Sequence, residues 1–336
     1  MVNNNRTHPL AEELNGILAQ TLAGRFLSDL GTRLYFPKGI IAQSGEAKKF
    51  GKTANATIGM AVKDGEPLML SALRDQLPNF QAHEAVAYAP TAGNDQLRSL
   101  WRDAIIRKNP SLKDASFSLP VLVPGLTAGL SYLSDLFLDE QSTLLTGDPA
   151  WDNYVLIVEA RRNSTLKGFP LFKGDGFDIE GFEATIKEEA KSGSIRILLN
   201  FPQNPAGYTP TKTESAQLVR ILVDAAEAGT DIMVWSDDAY FGLDYEEDIE
   251  PESLFAKLAN AHERILAIKI DGPTKENYVW GLRIGFITFA SKGMTSEHYD
   301  ALIRKLMGAI RSSVSCSATP SQTLMLHMLE HSKMEP

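Results

Sequence analysis

The 336-residue chain has a single cysteine, Cys316, and that scarcity excludes several classes at once. One thiol closes no internal disulfide, and without paired cysteines no cysteine-type zinc site is built. The compartment this favours is the cytosol. No stretch reaches the ~18 uninterrupted apolar residues of a membrane span. The opening Met1-Val-Asn-Asn-Asn-Arg-Thr-His8 lacks an apolar run and does not read as a signal peptide. Positive charge is short too: 33 Lys and Arg stand against 42 Asp and Glu, a formal net charge of −9. Proteins that wrap nucleic acid carry the opposite balance, so neither nucleic acid nor membrane is an expected partner. One positive pocket in an acidic protein stays compatible with that balance.

Familiar motifs are missing as well. Gly45-Glu-Ala-Lys-Lys-Phe-Gly51-Lys52-Thr53 has one residue too many between its glycines for a P-loop, and no helix-like segment follows. No G-x-G-x-x-G opens a helix after a strand. His83-Glu84 has no second histidine at helical spacing, so it is not a zinc-protease motif. No G-x-S-x-G marks a nucleophile elbow.

What is present is an ordinary globular composition, 43% hydrophobic and 22% charged, which argues against a disordered or fibrous chain. The length suggests about two domains. Residues 8–34 read as helical through Leu10, Leu14, Leu18, Leu22 and Leu27. Residues 37–67 read as loops, 68–79 as a helix, and 94–108 as another with Leu97, Leu100, Trp101 and Ile105 on one face. From 119 onward the character changes. Short apolar runs at 121–124, 143–146, 195–200, 232–236, 265–270 and 284–289 alternate with helical patterns. Thr211-Lys-Thr-Glu214 is a capping-box signature ahead of a helix over 217–228. The alternation predicts a mostly parallel sheet covered by helices. Ligands of such sheets sit beyond the carboxyl ends of the strands. The segments to inspect are therefore Gly125–Thr127, Asp148–Trp151, Phe201–Asn204, Asp237–Tyr240 and Asp271–Lys275.

Each segment has a bland reading when taken alone. Asn204-Pro-Ala-Gly207 is a common turn, and Asp237-Asp238 would serve as a helix cap. Lys275, after Gly272-Pro273, would be a surface lysine, and Trp151 a core aromatic. Together with Arg283 in Gly281-Leu-Arg283-Ile-Gly285 they become a set: an amine, a carboxylate, a guanidinium, an amide and an aromatic plane. Pyridoxal phosphate needs that set. Its aldehyde needs an amine. Its ring nitrogen needs a carboxylate to stay protonated. Its phosphate wants a guanidinium and the amides of a helix start, and its ring wants an aromatic face.

In these motifs, from Gly59 to about Arg311, the chain resembles the class I aminotransferases of pyridoxal phosphate fold type I. It is most similar to their aspartate and aromatic amino acid branch. The resemblance implies a mostly parallel seven-stranded sheet with helices on both faces. It implies a large cofactor domain over 71–295, a smaller α/β domain that begins with 1–70, and the start of a C-terminal small domain at 296–336. Lys275 matches the Schiff-base lysine, which later moves the substrate α-proton. Asp237 matches the partner of the ring nitrogen, leaving Asp238 as the lesser of the pair and Lys269 as part of its strand. Tyr240 and Asn204 match the groups that bond the ring hydroxyl. Trp151 matches the stacking aromatic, Arg283 the phosphate arginine, and Gly125-Leu126-Thr127 the helix start that cups the phosphate. Tyr88 matches a tyrosine that reaches the phosphate from the neighbouring subunit, which implies a homodimer with a shared site. Gly59, Trp151 and Asn204 match substrate contacts.

The match has departures. The family commonly has serine where this chain has Gly272, so Thr274 is the candidate substitute ligand for the phosphate. Arg311 lies near, but not cleanly at, the position of an arginine that binds a distal substrate carboxylate. The family continues well past the point where this sequence stops, at Met334-Glu-Pro336. The sequence therefore either lacks its C-terminal part or belongs to a short relative in which the cofactor binds and transfer fails. The expected reaction is ping-pong amino transfer from an L-amino acid, Asp, Glu or aromatic, to a 2-oxo acid. The alternatives are a lyase, decarboxylase or cyclopropane-forming synthase on the same fold, or a non-catalytic cofactor-binding protein.

Overall fold

The computed structural model describes residues 9–35, 46–47, 49–51, 62–63, 66–67, 80–277 and 279–330. Seven strands form the central sheet: β1 (Val121–Val123), β2 (Thr143–Asp148), β3 (Thr165–Pro170), β4 (Ser194–Asn200), β5 (Asp231–Asp237), β6 (Ile265–Asp271) and β7 (Gly285–Ala290). Their spatial order is β1-β7-β6-β5-β4-β2-β3. Every pair is parallel except the two that β7 makes with β1 and β6. The sheet is thus mostly parallel, as the alternation of runs predicts. The strand missing from the sequence reading is β3. It lies at the sheet edge with most of its residues exposed, and Thr165-Leu-Lys-Gly-Phe-Pro170 has no apolar run to announce it.

Central strands are buried on both faces, which is why they read as unbroken apolar runs. Alternate side chains still feed two separate cores. Met233, Trp235, Ile268 and Ile270 face one core with α3 (Leu126–Phe137) and α6 (Ser296–Ser313). Ile232, Val234, Ile265 and Ala267 face the other, with α2 (Asp95–Lys108), α4 (Ile179–Glu189) and α5 (Lys212–Glu227). This period of two decides the site, because it sends Asp237 and Asp238 to opposite faces.

The expected helix over 8–34 is three helices: α1 (Pro9–Leu18), Leu22–Phe26 and Asp29–Arg33. The breaks fall at hydroxyl caps. Thr21 Oγ1 accepts from Gly24 N at 3.0 Å, and Ser28 Oγ accepts from Gly31 N at 3.0 Å. Helix α2 begins where expected, behind the cap Asn94. Helix α5 begins at Lys212, ahead of the predicted start, because the Thr211–Glu214 capping box satisfies its first turn. Helix α7 (Thr319–Glu330) packs on α2 near the end of the described chain. The predicted helix over 68–79 and most of the predicted loop over 37–67 lie outside the described residues. Among the described residues no helix is long and apolar enough to cross a membrane.

Candidate active site

Strands β1, β2, β4, β5 and β6 all end at one edge of the sheet, and the segments that follow them converge there. They enclose a cleft of about 110 Å³. Leu126, Thr127, Trp151, Asn204, Asp237, Tyr240 and Lys275, all singled out in the sequence, line it together with Leu130, Tyr154, Asn200 and Ala239.

Asp237 is the last residue of β5 and is buried. Tyr154 Oη donates to its Oδ2 at 2.6 Å, and the Ala239 amide donates to Oδ1 at 3.3 Å. Burial pushes this carboxyl above its ordinary range, while the Tyr154 hydroxyl, the nearby Lys275 and the Ala239 amide pull it back. A cationic ring nitrogen facing it would tip the balance to carboxylate. Asn200, paired with Asp237 across the β4–β5 ladder, donates from Nδ2 to the Asp237 carbonyl at 2.7 Å. Its Oδ1 accepts from the Asn204 amide at 2.8 Å, so one asparagine fixes both the carboxylate strand and the Asn204 turn.

Lys275 lies in the turn after β6, partly buried, with Nζ 4.8 Å from the centre of the Tyr240 ring. Burial lowers its pKa, Arg283 lowers it further, and Asp237 opposes them; the net direction is down. A lowered amine pKa raises the neutral, nucleophilic fraction. Trp151 stands edge-on to Tyr154, ring centres 5.4 Å apart.

The other end of the cleft is built for an anion. Helix α3 starts after Gly125, whose φ of +91° is a glycine conformation, and no side chain caps its first turn. The Arg283 guanidinium lies against Gly125 so closely that a Cβ there would collide with Nη2. Arg283 itself is left-handed at φ +51° and is held by Nη1 donating to the Trp280 carbonyl at 3.1 Å. Uncapped helix amides beside a guanidinium, across from a buried carboxyl group and an amine whose pKa burial lowers, fit the phosphate, ring nitrogen and aldehyde of pyridoxal phosphate.

Other sequence candidates fall elsewhere. The Thr274 hydroxyl is buried, donates to the Ile284 carbonyl at 3.2 Å and does not line the cleft. Arg311 is exposed in the last turn of α6 and does not line the cleft. Tyr88 is 71% exposed and lies outside the cleft of its own chain. Gly59 lies outside the described residues. Tyr154 and Asn200 are the side chains that sequence reading missed. Asn200 ends a predicted strand and Tyr154 follows Trp151 by three residues, so the strand-end rule applied one residue earlier and one turn later would have found both.

The aminotransferase class I and II family matches residues 61–335. The chain belongs to this family. It is accordingly an enzyme, a transferase of amino groups, and its cofactor is pyridoxal phosphate. An aminotransferase from Anaerococcus prevotii is 22% identical, with a TM-score of 0.68 over 99% of this chain and 75% of that one. A Thermus thermophilus aspartate aminotransferase tetra mutant is 18% identical, with a TM-score of 0.57 over 93% of this chain and 71% of that one. An aromatic amino acid aminotransferase from Burkholderia cenocepacia is 16% identical, with a TM-score of 0.59 over 99% and 75%. At these identities the likeness is one of fold. No curated protein matches the chain.

Proposed function

We propose that this aminotransferase moves the amino group of an L-amino acid, Asp, Glu or aromatic, to a 2-oxo acid in two half-reactions, with Lys275 as the residue that carries the cofactor and the proton. Bound pyridoxal phosphate supplies an aldehyde for the amine and a ring that takes up the electron pair of the broken Cα–H bond. The chain's residues do the rest. Lys275, its pKa lowered by burial, would hold the cofactor and, once freed by the substrate amine, would take the α-proton and return it to the former aldehyde carbon. Asp237, steadied by Tyr154 and the Ala239 amide, holds the proton on the ring nitrogen. Tyr240 and Asn204 bond the ring hydroxyl, and Trp151 packs on the ring. Arg283 and the amides of Leu126 and Thr127 hold the phosphate. Trp151 and Asn204 also contact substrate. Tyr88, exposed on its own chain, reaches the phosphate of a second copy in a homodimer. The division into 1–70, 71–295 and 296–336 and a cytosolic location, favoured by the single cysteine, belong to the same reading.

The observation that carries it is the convergence of Lys275 and Asp237 on one cleft that runs to an uncapped helix start beside Arg283. The test is an absorbance spectrum with added pyridoxal phosphate, then with Glu, Asp or Phe. The expected result is a lysine-bound cofactor band that Lys275→Ala abolishes and that an amino acid converts to the pyridoxamine form with release of a 2-oxo acid. A band that no amino acid converts overturns amino transfer and favours the lyase or binding readings. No band at all overturns the site.

A further inference from the structure

Behind the cleft, on the other face of the same strand ends, lies a second lysine that the reaction does not use. Lys269 in β6 is fully buried. Its ammonium contacts Asp238 and lies 3.6 Å from Asp271 Oδ2. Both carboxylates are buried and each has a further donor. Ser253 Oγ donates to Asp238 Oδ2 at 2.6 Å, and Trp101 Nε1 donates to Asp271 Oδ1 at 3.1 Å. The Phe241 ring closes the ammonium off, its centre 4.3 Å from Nζ.

The placement of the two acids matters. Asp238 follows Asp237, and Asp271 is four residues before Lys275. The parallel ladder between β5 and β6 ends at the Asp237–Ile270 pair, reinforced by the Asp238 amide donating to the Ile270 carbonyl at 2.9 Å. Past that point β5 leaves the sheet while β6 runs one residue further, to Asp271 opposite Phe286 of β7, and the Lys269 side chain adds a bridge between the two segments. On the far side of Lys275, Glu276 pairs with Lys108 of α2, so the turn that carries the amine is held at both ends.

Stability alone does not account for this arrangement. Buried ion pairs are often replaceable by apolar side chains without loss, and here two buried carboxyl groups, their pKa values raised by burial, share one ammonium. We propose that Lys269 is a positioning residue for the transfer: by joining Asp238 to Asp271 it fixes the separation of Asp237 and Lys275 across the cleft. The proposal rests on the amino-transfer reading of that cleft.

Two variants test it. The double variant Lys269→Met with Asp238→Asn removes one charge of each sign and cuts the cross-link at unchanged net charge. Asp271→Asn removes one of the two buried acids while Lys269 keeps its Asp238 partner, leaves an oxygen to accept from Trp101, and cuts the same link from the Lys275 side. Each is measured as purified protein with added pyridoxal phosphate: thermal midpoint without cofactor, cofactor affinity, and the pH midpoint of the lysine-bound absorbance. Asp271→Asn is expected to melt at or above the parent, yet to lose roughly tenfold in cofactor affinity and to shift the pH midpoint by about half a unit or more. The double variant should lose at least as much, and Lys269→Arg should recover part of it. If Asp271→Asn, or a folded double variant, keeps the parent's affinity and pH midpoint, the positioning role is overturned and the layer is structural only. If the parent shows no band that Lys275→Ala abolishes, the amino-transfer reading fails and takes this proposal with it.

Discussion

Asp237 and Asp238 are neighbours in sequence and both buried, yet the strand turns them to opposite faces and into opposite jobs. On the open face, Asp237 has a tyrosine and an amide as donors, and among the described residues its carboxylate forms no ion pair. On the closed face, Asp238 meets the buried Lys269 directly and takes a serine proton as well. One carboxyl group faces a cleft with no cation paired to it, and the other meets its cation inside the fold. The difference teaches that burial and acidity do not mark a site. An unmatched acid facing space large enough for a ligand does.

The comparison breaks most sharply with the two asparagine variants. Asp237→Asn removes the charge that would hold a cationic ring nitrogen. Turnover should fall by about 100-fold or more, the scale of a lost charged hydrogen bond in a closed site compounded with lost electron uptake. Its thermal midpoint should stay level or rise, because a costly buried carboxyl is neutralised. Asp238→Asn should do the reverse in stability, losing about 1.5–3 kcal/mol in denaturant unfolding, the scale of a hydrogen bond to a charged group, as Lys269 gives up its direct carboxylate contact and keeps only Asp271 at 3.6 Å. Equal stability losses in both variants would erase the distinction between the faces.

Tyr154→Phe sharpens the open face alone. The Tyr154 hydroxyl holds the Asp237 carboxyl down against the upward push of burial. Without it the folded-state pKa rises, so the protein must reach a higher pH before Asp237 is ionised. The acid limb of cofactor binding should move up by about one pH unit, with affinity about tenfold weaker below it. An unmoved acid limb would mean that Asp237 does not control cofactor binding.

Much of this was legible from residues. The apolar runs announced six of the seven strands, because a strand buried on both faces cannot hide its composition. The strand-end rule then brought Lys275, Asp237, Asn204, Trp151 and Gly125 forward. The edge strand β3 stayed hidden because its exposed faces carry no pattern. Tyr154 and Asn200 stayed hidden because their work is done on other side chains, and only a ladder register places Asn200 opposite Asp237. Thr274 shows the opposite limit. Its identity suits a phosphate ligand, but a carbonyl ten residues on takes its proton. Lys269 read as plain strand because nothing in sequence reveals that two acids from different segments close around it.

A third buried lysine gives the gentlest test. Lys305 in α6 has neither a cleft, like Lys275, nor an acid, like Lys269; among the described residues its Nζ donates only to the Thr32 carbonyl, at 3.0 Å. That carbonyl also accepts from Asn15 Nδ2 at 3.0 Å, so it would keep a partner without the lysine. Burial lowers the Lys305 pKa from 10.5 to about 8. The unfolded chain keeps the ordinary value, so between those limits it holds more proton than the folded chain, and stability climbs with pH across the window. Below it both states are protonated and the cost of the buried charge is complete. Lys305→Met removes the titrating group and keeps the stem. Its thermal midpoint should exceed the parent's by about 2 °C at neutral pH, and the gap should close as pH approaches the upper limit. A gap that stays constant with pH would assign the change to packing and leave Lys305 charged in the fold at no cost.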